Sequence, residues 1–286
     1  MRLNELDRTA VFNATVHSNH RITPGDCPDD VRELVLDVEG LDPIPLPGQS
    51  IGILLSGDPA FGQKEHFRLY SVADIPEQLC DGLIRLKICV RRCDYVDPFS
   101  GEQYHGRASH YLCDSRDGGS LRVTGPYGEV FAVPQERDAT LILIGAGTGI
   151  APFRAFIRHI FENEPEFRGH VQLFHGGRTG MDLLYQNDVR NDLAYYYDRE
   201  TFESIEALSR RPHWNDTIDW GEALETRSAE LVRSLLNPHT YVYIAGLEPI
   251  RDELDLALAK VFGSLDKWLL RKAELVAGRR WNELVY

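Results

Sequence analysis

Thr140-Leu141-Ile142-Leu143-Ile144-Gly145-Ala146-Gly147-Thr148-Gly149-Ile150-Ala151-Pro152-Phe153-Arg154 is the stretch that decides the fold. Its opening run, Thr140 to Ile144, is continuously apolar after the threonine and predicts a strand covered on both faces. Gly145, Gly147 and Gly149 then let the backbone approach a ligand closely, and Thr148 adds a hydroxyl. A helix is predicted from Pro152 to Phe161. Strand, glycine loop and helix in this order place a helix N-terminus where it suits a nucleotide pyrophosphate. A lone glycine loop is weak evidence, so the neighbouring sequence has to agree with it.

Downstream it does. Strands are predicted at Val171 to His175, Ser204 to Leu208 and Thr240 to Ala245, with helices at Ala229 to Leu236 and Glu253 to Phe262. Alternating β and α units predict a doubly wound parallel sheet with ligand at the carboxyl ends of its strands. Upstream the pattern changes to short strands broken by Gly and Pro turns: Val31 to Val38, Ser50 to Leu55, Leu83 to Val90 and Ser120 to Thr124. These predict an antiparallel barrel or sandwich. The change falls at Glu136-Arg137-Asp138-Ala139, so the expected domains are 1–136 and 137–286.

At 286 residues the chain is long enough for two cores. With 43% hydrophobic and 26% charged residues, its composition is that of a soluble globular protein. No apolar run approaches the roughly 20 residues of a membrane-spanning helix, and the N-terminus, Met1 to Arg8, lacks a signal peptide's apolar stretch. The five cysteines form no CxxC pair, so neither a disulfide framework nor an iron–sulfur site is expected. No metal site is expected either. The expected compartment is the cytoplasm, and the expected state a monomer. A net charge of −13 argues against nucleic acid as a partner. It also slows encounter with an acidic protein unless positive charge is clustered. Arg91-Arg92, Arg210-Arg211, Arg271-Lys272 and Arg279-Arg280 are such clusters; scattered solvated cations describe them equally well.

A second segment, Arg68-Leu69-Tyr70-Ser71, reads as a strand edge able to hold a flat, electron-carrying ring. Alternation sends Tyr70 to the face opposite Leu69 and Ser71. A strand tyrosine also describes ordinary packing, and Ser71 a strand-end hydrogen bond.

These segments, with others, carry a resemblance. In order they are Pro47 to Gly52, Arg68 to Ser71, Cys89-Val90-Arg91-Arg92, Gly106-Arg107-Ala108-Ser109, Thr124-Gly125-Pro126, Gly145 to Arg154, Leu183-Leu184-Tyr185, Tyr241-Val242-Tyr243, and Trp281-Asn282-Glu283-Leu284-Val285-Tyr286. From about Ala14 to Tyr286 the chain resembles the plant-type ferredoxin–NADP(H) reductases, particularly the plastid-like branch. The resemblance implies an N-terminal antiparallel β-barrel that binds FAD, followed by a doubly wound α/β domain that binds NADP(H).

It also implies roles. Tyr70 stacks on the flavin, Arg68 meets its pyrophosphate, Ser71 lies near flavin N5, and Leu69, Cys89, Val90 and Arg91 complete the surround. Gly106 to Ser109 presents backbone N–H groups to the flavin pyrophosphate; a glycine turn capped by Ser109 predicts the same local structure. Tyr95 matches the residue that stacks on the adenine, although Asp94 and Asp97 equally suit a solvent loop. Gly147, Thr148, Gly149, Gly177, Arg178, Gly246 and Leu247 face the dinucleotide. Ser209-Arg210 match the start of the 2′-phosphate site, whose later Lys and Tyr are replaced by Gly221 and Ala223; Arg211, Trp214 or Trp220 are possible substitutes. Tyr286, expected to end the chain, covers the flavin face where nicotinamide lands.

Two departures stand out. The resemblance places a Cys at Ala245, where its thiol would help position nicotinamide, and a Glu at Leu284, with Glu283 displaced by one. In a strand, that displacement turns the carboxylate to the other face. Ser71, Ala245, Glu283 and Tyr286 are therefore the catalytic candidates. The implied activity is electron exchange between NADP(H) and a one-electron carrier, ferredoxin or flavodoxin, by hydride transfer at flavin N5. The alternatives are a reductase component for a dedicated oxygenase or other acceptor, and a catalytically weak flavin-binding module.

Overall fold

The computed structural model describes residues 3–57, 62–196, 198, 200–212 and 216–286. The chain forms two units, one made of Met1–Phe131 with Ala151–His159, the other of Ala132–Ile150 with Ile160–Tyr286. No helix among the described residues is long and apolar enough to cross a membrane.

The first unit contains β1 (Phe12–Arg21), β2 (Val31–Glu39), β3 (Ser50–Ser56), β4 (Glu65–Ser71), β5 (Glu77–Cys80), β6 (Leu83–Arg91), β7 (Asp94–Val96), β8 (Gln103–His105), α1 (Arg107–Asp114) and β9 (Ser120–Tyr127). Seven strands pair in the order β4-β3-β9-β1-β2-β6-β5, antiparallel throughout. A bridge between Val72, just past β4, and Ile88 of β6 curls the sheet back on itself, so the architecture is a barrel. Alternation explains the interior: Leu34, Leu36 and Val38 stand opposite Ile88, Leu86 and Ile84, and all six are buried in one cluster. Each such side chain contributes about 1.5–3 kcal/mol by leaving water. Leu112 and Cys113 of α1 join that cluster.

The second unit contains β10 (Thr140–Ala146), the ends of α2 (Ile150–Asn163), β11 (His170–Gly177), β12 (Phe202–Leu208), α3 (Trp220–Glu225), α4 (Ser228–Leu236), β13 (Thr240–Gly246), α5 (Ile250–Val261), α6 (Leu265–Ala277) and β14 (Trp281–Val285). Five strands lie parallel in the order β12-β11-β10-β13-β14. From β10 the chain first builds outward to β12, then returns to place β13 on the other side. The order therefore reverses between β10 and β13, and such a reversal is where doubly wound sheets bind ligand.

The middle of α2 belongs to the barrel unit. Phe131 stacks on Phe153 with ring centroids 5.8 Å apart and meets Phe156 edge-on at 5.7 Å. Arg154 Nη1 lies 3.0 Å from Asp74 Oδ2 and donates to Ala73 O at 2.7 Å, Lys87 Nζ reaches the same carboxylate at 2.6 Å, and Arg158 pairs with its other oxygen. A cut at residue 137 gives the whole helix to the later half, because a change of sequence pattern does not say which core a segment joins.

Candidate functional site

On the barrel, alternation along β4 is as expected. Tyr70 stands opposite Ile51 and packs against the main core, while Leu69 turns to the small cluster of Leu54, Phe67 and Tyr127. Burial pushes the Tyr70 phenol well above its ordinary range. Ser71 shares a 3.1 Å hydrogen bond with Ser50. Arg68 is exposed and donates to Phe67 O at 2.8 Å. Cys89 and Val90 are buried, so they offer a ligand backbone rather than side chains; Arg91 lies 3.7 Å from Asp29.

Gly106 precedes α1 because nothing larger fits: a Cβ there would fall 2.7 Å from Cys93 O. Having no side chain, it leaves the first backbone N–H groups of the helix, at Arg107, Ala108 and Ser109, without a side-chain cap. Ser109 does not cap the turn in the expected way. Its hydroxyl donates to Gly106 O at 3.0 Å and accepts from Cys93 N–H at 3.1 Å, tying the incoming loop to the helix. Arg107 donates to Gly57 O at 2.9 Å and lines a cavity of about 270 Å³ with Leu54, Tyr111 and Arg122.

Tyr95 lies on the β7–β8 hairpin opposite Tyr104 and is 58% exposed. Asp94 Oδ1 fastens this hairpin to α1, meeting His105 Nδ1 at 2.7 Å and His110 Nε2 at 2.8 Å. Arg92 donates to His110 Nδ1 at 3.2 Å, which leaves the ring proton on Nε2, facing the carboxylate. The His105 hydrogen bond, with that of His110, holds Asp94 below the usual carboxylate range.

At the carboxyl ends of β10 and β13 several expected residues converge. Gly149 is required: a Cβ would fall 2.3 Å from Ala245 O. Gly147 has φ +53° and open space above it. Thr148 Oγ1 and the Tyr286 hydroxyl share a 2.7 Å hydrogen bond. The backbone of Tyr286 is held on both sides, donating to Gly246 O and accepting from Glu248 N–H, each at 3.2 Å. Ala245 is fully buried, Leu247 exposed, and Tyr286 55% exposed at this end of the sheet.

Residues 143–254 match the model of the oxidoreductase NAD-binding domain. A ferredoxin–NADP reductase from Spirulina sp is 33% identical over 264 residues, covering 90% of this chain and 88% of that protein. The chloroplastic leaf isozyme 1 of Oryza sativa subsp. japonica is 34% identical over 280 residues, covering 94% and 75%. The chain belongs to the ferredoxin–NADP reductase family. The solved ferredoxin–NADP+ reductase of Plasmodium falciparum has the same fold, with a TM-score of 0.72 over 99% of this chain and 98% of that one at 18% identity. Membership makes the chain an oxidoreductase.

Within this family member, other expected positions are occupied differently. Glu283 shares a strand face with Trp281 and Val285, turned toward the helices. It receives Arg251 Nε at 2.5 Å and the Trp281 indole N–H at 2.6 Å, while Leu284 takes the opposite face. Trp220 is no substitute at a phosphate site: it is buried and donates to Glu253 at 3.1 Å. Trp214 lies outside the described residues. Gly177 ends β11 and Arg178 follows it, 3.9 Å from Asp182. Ser209 is buried and donates to Asp216 O at 3.1 Å. Arg210 pairs with Asp219, and Arg211 with Asp216 at 2.8 Å.

The sequence reading missed Asp74 with its three cations, and Asp216 and Asp219. Isolated acidic residues carry no spacing signal. Only Asp219, three residues before Glu222 at a helix start, follows a recognisable capping pattern.

Proposed function

We propose that the chain binds FAD through residues 1–136 and NADP(H) through residues 137–286, and exchanges electrons between NADP(H) and a one-electron protein carrier, ferredoxin or flavodoxin. The observation that carries the reading is the meeting of Gly147-Thr148-Gly149 with Tyr286 at the sheet's switch point. Both cofactor sites suit their groups. The space over Gly147 accepts a pyrophosphate that a side chain would displace, and the uncapped N-terminus of α1 suits the flavin's phosphates. Bound FAD supplies hydride acceptance from nicotinamide and release of electrons singly.

The residues around it bind and orient. Tyr70 offers a ring held in place by the barrel core, Arg68 an exposed cation for phosphate oxygens, and Ser71 a hydroxyl fixed by Ser50. Arg91 and Tyr95 extend the flavin surround. Tyr286 covers the glycine loop until nicotinamide displaces it and breaks the bond to Thr148. Glu283 holds α5 to β14 through Arg251, so its carboxylate is engaged in structure rather than left for proton transfer. We place the protein in the cytoplasm, as a monomer; its five free thiols suit a reducing compartment.

The carrier docks through Arg91-Arg92, Arg271-Lys272 and Arg279-Arg280. One observation favours a second reading, a dedicated oxygenase or other acceptor. Resident carboxylates already pair with Arg92 (Asp30, Asp114), Arg271 (Glu274) and Lys272 (Asp255), which leaves less positive charge for an acidic carrier.

The test is purification, a visible spectrum, and rapid mixing with NADPH. A yellow protein bleached by NADPH is the expected result; colourless protein that takes up no FAD ends the proposal. Turnover with ferredoxin that falls as salt rises supports the carrier reading, and rates with ferricyanide alone support the second.

A further inference from the structure

We infer that Asp219, assisted by Asp216, sets how strongly this chain distinguishes a 2′-phosphorylated dinucleotide from its unphosphorylated counterpart, by withholding Arg210 and Arg211. The inference rests on the dinucleotide reading above and concerns only the adenosine end of that ligand.

The placement follows from the sheet. A pyrophosphate at the glycine loop sits over the end of β10, and β12 lies two strands away, roughly 10 Å at ordinary strand spacing. Ser209, Arg210 and Arg211 directly follow β12, at the carboxyl edge where a ligand spanning the sheet would carry its ribose. An arginine there accommodates a 2′-phosphate; an acidic residue favours a free 2′-hydroxyl.

Here both are present, and they are bound to each other. Arg210 Nε pairs with Asp219 and lies 3.7 Å from Glu222, while Arg211 Nε and Nη2 approach the two Asp216 oxygens at 2.8 and 3.4 Å. Hydrogen bonding to Asp216 raises the Arg211 guanidinium still further above its ordinary range, so it stays charged. Two cations thus face three carboxylates. An arriving 2′-phosphate, carrying about −1.5 to −2 charge, has to displace carboxylates from both guanidiniums. A 2′-hydroxyl adds no charge and can donate to a carboxylate. Both arginine side chains are 68% exposed, so the pairs yield to a strong competitor and phosphate preference is reduced rather than reversed.

Asp219 has a second duty that makes the test clean. Its Oδ1 accepts the Glu222 N–H at 2.9 Å and caps α3. Asp219→Asn keeps that acceptor and removes the charge.

The experiment is calorimetric titration of the purified protein with NADP+ and with NAD+. It compares the native chain, Asp219→Asn, Asp219→Asn with Asp216→Asn, and Arg210→Gln in the native and Asp219→Asn backgrounds. Asp219→Asn is expected to tighten NADP+ about tenfold, the worth of one charge-assisted hydrogen bond regained, and to leave NAD+ within about twofold. Arg210→Gln is expected to weaken NADP+ more in the Asp219→Asn background than in the native one. A Kd ratio that does not move, or an equal Arg210→Gln effect in both backgrounds, overturns the inference while dinucleotide binding stands. Failure of both dinucleotides to bind any of these proteins overturns the inference together with the reading beneath it.

Discussion

Among the arginines that meet carboxylates in this molecule, two groups stand at opposite extremes of burial. Arg154 and Asp74 have side chains only 3% exposed, and the pair is completed by Lys87, Arg158 and the Ala73 carbonyl. Arg210 and Arg211 have the same chemistry with 68% exposed side chains. Removing one partner inside leaves a charge stranded in a poor solvent, whereas outside water takes over at once. The buried group is therefore a fixed part of the fold, and the exposed group can be adjusted by a ligand.

The sharpest way to break this comparison is Asp74→Ala. It strands Arg154 and should destabilise the chain by about 3–5 kcal/mol, read from urea denaturation. A loss no larger than that of a surface change would show that water reaches the site. Acid gives the same answer from another direction. Burial pushes the Asp74 carboxyl up, but Arg154, Lys87 and Arg158 outweigh it and hold it below its ordinary 3.8. A depressed carboxylate stabilises the fold above its unfolded value and loses that contribution as pH falls through its folded one. Stability in that acid range should therefore fall more steeply in the native chain than in Asp74→Asn.

A smaller effect comes from His175, buried on β11 with Gln186 Oε1 3.1 Å from Nδ1 and no countercharge among its described neighbours. Burial lowers its pKa from 6.5 to about 4. A histidine kept neutral stabilises the fold fully above 6.5 and loses that contribution as pH falls toward 4. The whole swing is about 3 kcal/mol, at 1.36 kcal/mol per pH unit. His175→Gln should flatten the denaturation midpoint across this window; an unchanged slope would mean the ring is hydrated. The smallest effect belongs to the exposed group: Arg211→Ala should leave the denaturation midpoint where it is. A clear drop would place Arg211 among the fixed pairs.

Much of this was legible in the sequence, for physical reasons. The run Thr140 to Ile144 became β10 because a strand covered on both faces has no polar alternation to confuse it, and the following glycines sit where backbone and ligand space demand them. The alternation of Tyr70 against Leu69, and of Glu283 against Leu284, holds because strand period is fixed by covalent geometry. Boundaries were less legible: β9 runs on through Gly125-Pro126 to Tyr127. β5, β7 and β8 are exposed along their whole length and carry no apolar pattern. α6 buries only Trp268 and Leu275, too thin a stripe to register as a helix. Trp220 was misread because an aromatic's burial depends on distant neighbours, here Glu253. The acidic partner of Arg154 comes from a distant part of the chain, and those of Arg210 and Arg211, nine and five residues on, stand at no helical or strand spacing, so only folding shows that they meet.

Asp219 holds the start of α3 with one oxygen and Arg210 with the other. Asp and Asn codons differ by a single base, and both amino acids serve a helix start equally well. A lineage of this chain could therefore strengthen or weaken its preference for the phosphorylated coenzyme by one mutation that keeps the helix start intact.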